Sequence, residues 1–330
     1  MSNVYISTRG QLSKCDEHFI FKDYQGNCVS ILPVNTDKFI LCGSVSITGE
    51  AFYLLSKFKI PVSIRTFRNN ENISIQYSED KNVFLRQLQY KIIEDEEKAL
   101  DIGRTIVLGK IKNQLAFIQR IKRSNSDKTH ITEAVSKIKE NIKDVNKCET
   151  IQSLRGLEGI IARNYFSVFS MNIKPKWAIF EKRSKHPPET NVNAVLSYLY
   201  YLLSEEVELA IQSEGLDCMA GTLHELQYGR KSLVCDLMEE FRVPFADVLC
   251  CCLFNHKILN QQDFTQEQNA VYLTKEGMKK VIAEFESKMN QTIQINEIEH
   301  TCREVLFKQV AAYKNVILGK VEKYNPYQYK

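Results

Sequence analysis

The hydrophobic pattern of this chain changes period once, near Ser78–Asn82, and that change limits it to two unlike parts. Before it, short β-prone runs alternate with turn residues. The runs are Val4–Ser7, His18–Lys22, Cys28–Pro33, Lys38–Leu41, Val62–Thr66 and Ile73–Tyr77, and the turns include Gln25-Gly26-Asn27 and Asn69-Asn70-Glu71-Asn72. One helix interrupts them, with Thr48 as N-cap, Glu50 in its first turn and Ala51, Leu54, Leu55 and Phe58 as its apolar stripe. After the change, Leu85, Leu88, Ile92, Ile106, Ile111, Leu115, Ile118 and Ile121 recur at helical spacing. The pattern predicts an α+β protein: a β-rich domain over 1–78, a linker over 79–83 and an all-α domain over 84–330.

A polar stretch, Arg123–Lys128, breaks the helices, which resume over roughly 130–145, 150–170, 191–213, 231–240, 245–255, 275–290 and 296–318. Thr190 or Asn191 caps the third of these after the extended Pro187-Pro188 entry, and the polar tail Tyr324–Lys330 is expected to be loose. A length of 330 residues suits two domains, and only 13 Gly and 7 Pro suit much helix and few elaborate loops. The net charge of +4 is too small for a generally basic surface, so any nucleic-acid face must be local. None of the ten Cys forms a CxxC pair, and Cys250, Cys251 and Cys252 are consecutive, which fits small buried hydrophobes in a reducing compartment. The start, MSNVYISTRG, lacks the pattern of a signal peptide, and no apolar run approaches the roughly 18 residues of a membrane span. A soluble cytoplasmic protein without a membrane partner is expected.

Three segments place acid or imidazole side chains inside apolar helical patterns: Leu154–Phe166 (LRGLEGIIARNYF), Gly215–His224 (GLDCMAGTLH) and Ser232–Arg242 (SLVCDLMEEFR). Asp236 and Glu239 are three apart, so on one helix both carboxylates can point into a shared site, where a cation would relieve their repulsion. Glu158 borders an apolar stripe and is flanked by Gly156 and Gly159, which suggests close approach of a backbone or a ligand. His224 follows Gly221-Thr222-Leu223 at a loop–helix junction. A carboxylate–His–carboxylate set is what a hard divalent cation needs to act on phosphodiesters. Each signal also has a plainer reading: an exposed acidic patch that includes Glu240, a surface glutamate, a structural histidine. Basic residues adjoin the acids: Arg155 and Arg163, the cluster Lys182, Arg183 and Lys185, and Arg230, Lys231 and Arg242. Positive charge there fits an approaching phosphate backbone. Lys110, Lys112, Arg120, Lys122 and Arg123 read instead as a solvated helix face.

At these residues the chain resembles the CRISPR-associated Cas-one family, the integrases of spacer acquisition. The family pattern is LRGxEGxxAxxYF, then RPPxDPVNAxLSxxYxxL, GLDxxxGxLH and SLxxDLMEEFRP. Here the same order reads LRGLEGIIARNYF, HPPETNVNAVLSYLYYLL, GLDCMAGTLH and SLVCDLMEEFR, covering about residues 150–250. His186, Thr190-Asn191, Thr222 and Val243 depart from the pattern, and none is a predicted ligand.

The resemblance implies a β-rich dimerisation domain followed by a larger helical catalytic domain. It implies a homodimer that flanks a dimer of the small Cas-two protein in a heterohexamer-like complex. It implies an Mg²⁺- or Mn²⁺-dependent DNA endonuclease and integrase with Glu158, His224 and Glu239 as metal ligands and Asp236 as a further catalytic acid beside the metal. The reaction expected is transesterification, in which the 3′-hydroxyls of a prespacer duplex attack the edges of the repeat in a CRISPR leader–repeat. Arg183 and Arg242 are the candidate DNA contacts. Two other readings share these residues: a mobile-element, casposon-like integrase on the same scaffold, and a catalytically silent DNA-binding scaffold.

Overall fold

The structure is a computed structural model and describes residues 2–65, 72–75, 82–124, 128–185, 187–295 and 297–329. Thr66, Asn69–Glu71, Tyr77, residues 79–81 of the expected linker, residues 125–127 of the polar break and His186 lie outside the described residues. The chain divides into two compact units, Met1–Lys81 and Asn82–Lys330.

The first unit contains β1 (Ser2–Ile6), β2 (Gly10–Cys15), β3 (His18–Asp23), β4 (Cys28–Ile31), β5 (Thr36–Leu41), β6 (Val45–Ile47), α1 (Gly49–Lys57), β7 (Val62–Arg65) and β8 (Asn72–Ile75). One four-stranded sheet has the order β1-β5-β7-β8, with β8 antiparallel to its neighbour and the others parallel. The other has the order β4-β3-β2-β6, an antiparallel meander with β6 added parallel to β2. Parallel neighbours need a crossover, and α1 supplies the one between β5 and β7. Thr48 caps α1 by accepting from the Ala51 N–H, and Ala51, Leu54 and Leu55 are fully buried, as their spacing predicts. Leu12, Phe19 and Phe39 complete this core, the two rings meeting edge-on at 5.0 Å. The sequence reading missed β2 and β6. β2 (GQLSKC) has Leu12 as its one fully buried side chain, and β6 is three residues long, so neither makes a clear alternating run.

The second unit is mostly helical: α2 (Val83–Glu94), α3 (Glu96–Ser124), α4 (Lys128–Val145), α5 (Ile151–Phe169), α6 (Asn191–Ser213), α7 (Ser232–Leu237), α8 (Glu239–Phe241), α9 (Val248–Asn255), α10 (Lys275–Asn290) and α11 (Cys302–Ile317). Two small antiparallel hairpins lie among them: β9 (Phe264–Glu267) with β10 (Ala270–Leu273), and β11 (Thr292–Ile295) with β12 (Ile298–Thr301). They correct the expected helix over 296–318, which begins only at Cys302, where Thr301 and Glu304 form a capping box. Of the hairpin isoleucines only Ile298 falls within the expected helix, and it lies exposed on a short strand.

The 29-residue α3 packs against α4, α5 and α8, and its buried positions occupy most of its circumference. Such a helix is central to its domain. The consecutive Cys250 and Cys251 are buried within the core that surrounds it. Among the described residues no helix is long and apolar enough to cross a membrane.

The stretch 231–255 is not the two plain helices expected. A π-turn (Arg242–Asp247) joins α8 to α9, and it contains Pro244. Proline has no N–H to offer the carbonyl four residues back. That carbonyl belongs to Glu240, and the Asn113 side-chain amide of α3 donates to it at 2.7 Å.

The tail is not loose. Asn113 also donates to the Tyr327 carbonyl at 2.9 Å and accepts from the Tyr329 N–H at 2.8 Å. Tyr324 O–H and Tyr327 N–H both donate to the Glu240 carboxylate. Pro326 lies in a notch over Gly109 that any β-carbon there would fill. Polar composition suggested an unattached segment, but buried Glu240 and Asn113 supply its partners from within the domain.

Candidate active site

Four elements of the second unit bring the site together. The loop 214–231 carries His224, and Gln89 of α2 anchors it, donating to the carbonyls of Asp217 and Ala220 and accepting from the Asp217 N–H, each at 2.9 Å. Where the loop turns toward α7, Gly221 lies so close that a β-carbon would stand 2.6 Å from Asp236 Oδ2 and 2.6 Å from the Ser232 carbonyl carbon. Only glycine lets the loop approach this far. Asp236 is fully buried and accepts from the backbone N–H groups of Thr222, Leu223 and His224 at 2.6, 2.9 and 2.9 Å. Its fourth partner is His224 Nδ1 at 2.7 Å. An ionised carboxylate only accepts, so Nδ1 carries the hydrogen and Nε2 presents its lone pair.

That Nε2 faces Glu239, 4.0 Å from Oε1. Asp236 and Glu239 therefore do not converge as a side-by-side pair. The helix breaks at Met238 between them, and the imidazole bridges from one to the other.

Glu158 reaches the site from α5, whose Thr150–Ser153 capping box fixes its start and whose Leu154, Ile161 and Tyr165 fix its buried face. The Lys110 ammonium lies between Glu158 and Glu239, 2.6 Å from Glu239 Oε2 and in direct contact with Glu158 Oε1. Lys110 is buried and is the site residue that the sequence reading assigned to a solvated face. Burial alone would lower its proton affinity, yet the carboxylates of Glu239 and Glu158 hold the ammonium above its usual range. Burial would likewise push the Glu239 carboxyl up, but Arg242 and Lys110 outweigh it and hold the group well below the usual range. The next residue, Glu240, is not part of an exposed acidic patch. It is buried, points to the tail, and burial raises it to about 7 against hydrogen bonds from Tyr324, Tyr327 and Gln309.

The two arginines named from sequence flank this centre and are engaged within the protein. Arg242 Nε lies 3.0 Å from Glu239 Oε2, and its guanidinium stacks 4.5 Å from the Tyr200 ring centre. Arg183 donates to Asn193 Oδ1 and Ser197 Oγ, both at 3.1 Å, with its guanidinium 5.3 Å from the same ring centre. Tyr200 is held from below: it and Tyr165 each donate to buried Asp247 at 2.6 Å. Lys185 is exposed beside them. Asn193 of α6 pins the irregular segment that carries this basic cluster, donating to the Lys182 carbonyl at 2.8 Å and accepting from the Ser184 N–H at 3.1 Å. Gly156 and Gly159 do not receive a backbone of this chain; a β-carbon at either would meet open space.

The donor set matches a hard divalent cation: two carboxylates and an imidazole nitrogen whose opposite nitrogen is pinned by a carboxylate. Two observations bear on the fit. An ammonium already bridges Glu158 and Glu239, so the pair attracts a cation. Among the described residues, however, no three His, Cys, Asp or Glu side chains form a ready-made cage. Lys110 occupies the space between the two carboxylates.

A β-rich unit preceding a helical unit with an acid–imidazole centre defines the class to which the chain belongs. A model of the CRISPR associated protein Cas1 family matches residues 4–287, and the chain belongs to this family, the one whose four motifs it carries. A CRISPR-associated endonuclease Cas1 of Leptospira interrogans is 36% identical over 255 residues, which are 74% of this chain and 100% of that protein. Among solved structures, a casposase bound to its integration product superposes with a TM-score of 0.87 at 24% identity, over 100% of this chain and 95% of that one. A Cas6–RT–Cas1–Cas2 complex contains the same fold, with a TM-score of 0.84 at 22% identity over 100% of this chain and 36% of that one.

Proposed function

We propose that this chain is a divalent-metal-dependent DNA endonuclease and integrase of CRISPR adaptation, with Glu158, His224 and Glu239 holding the ion. The observation that carries this is the convergence of Glu158 and Glu239 on one positive charge, with His224 Nε2 turned toward Glu239, in a chain of the Cas1 family. Mg²⁺ or Mn²⁺ bound there would polarise a phosphoryl oxygen and offset the charge gathering on it. Asp236 holds the imidazole in the tautomer that presents Nε2. Arg242 keeps Glu239 ionised, and Tyr200 and Asp247 keep Arg242 in place. Lys185, exposed at the rim, and Arg183 and Arg242 beside it give a local positive edge to a phosphate backbone.

The reaction is a direct transesterification. The 3′-hydroxyl oxygen of a prespacer end forms a new bond to a repeat-edge phosphorus as the old P–O3′ bond breaks. The proton lost by the attacking hydroxyl is matched by the one gained at the departing 3′-oxygen. One phosphodiester replaces another, so no nucleotide cofactor and no covalent enzyme intermediate are needed. With water as the attacking group the same site cuts DNA. The dimer built through the β-rich unit follows the family resemblance, and the shared fold of the Cas6–RT–Cas1–Cas2 complex supports Cas2 as a partner.

The test is a strand-transfer assay with Cas2, a labelled duplex bearing free 3′-hydroxyls, and a supercoiled leader–repeat plasmid in Mg²⁺, Mn²⁺ or EDTA. Joining at the repeat edges that needs metal and disappears in Glu239→Gln is expected. Joining that ignores the repeat would move the assignment to a mobile-element integrase, as the casposase fold permits. No joining or cutting in either metal would leave a DNA-binding scaffold.

A further inference from the structure

Lys110 is the one charged residue of the site that a metal centre leaves without a task. Its base is fixed: Gly109 before it is covered by Pro326, and Ile111 after it is buried. Its four-carbon stem remains a flexible tether for a compact charge. The ammonium is placed between the two carboxylates that the metal reading needs brought together, and Glu158 and Glu239 come from different helices. Without a cation between them they would repel across a buried space.

We propose that Lys110 is a built-in counter-ion, which holds Glu158 and Glu239 in register before a divalent cation binds and yields its place to that cation. The inference rests on the metal reading above. Formal charges support it. Glu158 and Glu239 pair with Lys110 and Arg242, and Asp236 behind His224 adds a third carboxylate, which leaves one excess negative charge. A divalent ion added beside Lys110 would leave an excess positive charge, whereas an ion that replaces the ammonium brings these groups to neutrality. Arg242 cannot serve in its stead, because among the described residues it pairs with Glu239 and not Glu158, and its guanidinium stacks on Tyr200. Lys110 thus sets the affinity for the metal: it preserves the site and competes with its occupant.

The experiment titrates Mn²⁺ into the full-length protein and follows free Mn²⁺ by electron paramagnetic resonance, with thermal unfolding alongside. Wild type, Lys110→Met, Lys110→Gln, Lys110→Arg and Glu239→Gln are compared. Loss of the site in Glu239→Gln identifies the binding as that of the proposed centre. Lys110→Met and Lys110→Gln should bind Mn²⁺ at least tenfold tighter than wild type, and Lys110→Arg should stay near wild type. Both neutral variants should also melt lower without metal and gain more from saturating Mn²⁺ than wild type does, since binding to the native state alone raises stability. Neutral variants that fold yet bind Mn²⁺ no tighter would overturn the proposal and make Lys110 a strut. If even one of the two neutral variants folds, that comparison stands. Failure of every protein, wild type included, to bind Mn²⁺ in a Glu239-dependent manner would instead overturn the metal reading, and this inference with it.

Discussion

Asp236 holds the loop of residues 222–224 and the His224 ring without itself facing Glu158 or Glu239. Its carboxylate is surrounded by four donors, three of them backbone N–H groups of residues 222–224. Asp236→Asn turns an amide donor toward those N–H groups. Each unpaired buried donor costs about 1–3 kcal/mol, so urea unfolding should show a loss of a few kcal/mol, and strand transfer should fall by about 10–100-fold as His224 loses its orienting partner. Retention of wild-type activity would exclude the orienting role. The thiols offer a prediction in pH. Burial, and then Glu208, push Cys218 up to about 12, while Cys15 and Cys28 are exposed. Only the thiolate alkylates, and at pH 8 a thiol at about 12 is ionised to roughly one part in ten thousand. Iodoacetamide should therefore label Cys15 and Cys28 and spare Cys218 in the native protein, with labelling of Cys218 rising about tenfold per pH unit until the fold is lost. Mass mapping of the labelled peptides decides this. At this scale pattern alone leaves Glu158, His224 and Glu239 open to plainer readings, and it is the family resemblance that singles them out; the structure brings the three together around Lys110. Lys110 itself is not legible in the sequence, since a helical lysine reads as solvated and its partner Glu158 lies 48 residues away.

At the scale of elements, the site depends on two close approaches and one rescued carbonyl. Gly221→Ala would drive a β-carbon into Asp236 and the Ser232 backbone. Overpacking of that kind costs about 1–3 kcal/mol, and the loop that carries His224 must shift to relieve it, so both melting temperature and strand transfer should drop. Tyr324→Phe removes a donor from buried Glu240 and should destabilise by about 1–3 kcal/mol; an unchanged denaturation midpoint would show that the tail is not holding that group. Helix positions, caps and the α1 stripe could be read from sequence because propensity and period are local. The hairpins at 264–273 and 292–301 could not, because short half-exposed strands carry few apolar residues. Nor could the tail, whose partners are set by tertiary packing. The π-turn had a visible cause in Pro244, but its compensation by Asn113 is a contact of the folded state.

For the molecule as a whole, the family assignment predicts a homodimer. Light scattering behind gel filtration should give about twice the 38.2 kDa chain mass, and a monomer at micromolar concentration would remove the dimeric part of the proposal. The contact between Asn113, Glu240 and the tail has a consequence in time. Its bonds close loops of 127 and more than 200 residues, which are among the slowest kinds of contact to form. Until α3, the π-turn and residues 324–329 have met, the helix that bears Glu239 has an open carbonyl and an unsupported neighbour. A chain still emerging from the ribosome is therefore expected to hold Glu158, His224 and Glu239 as scattered charges, and a chain truncated before residue 324 is expected to leave Glu240 and Asn113 without these tail partners.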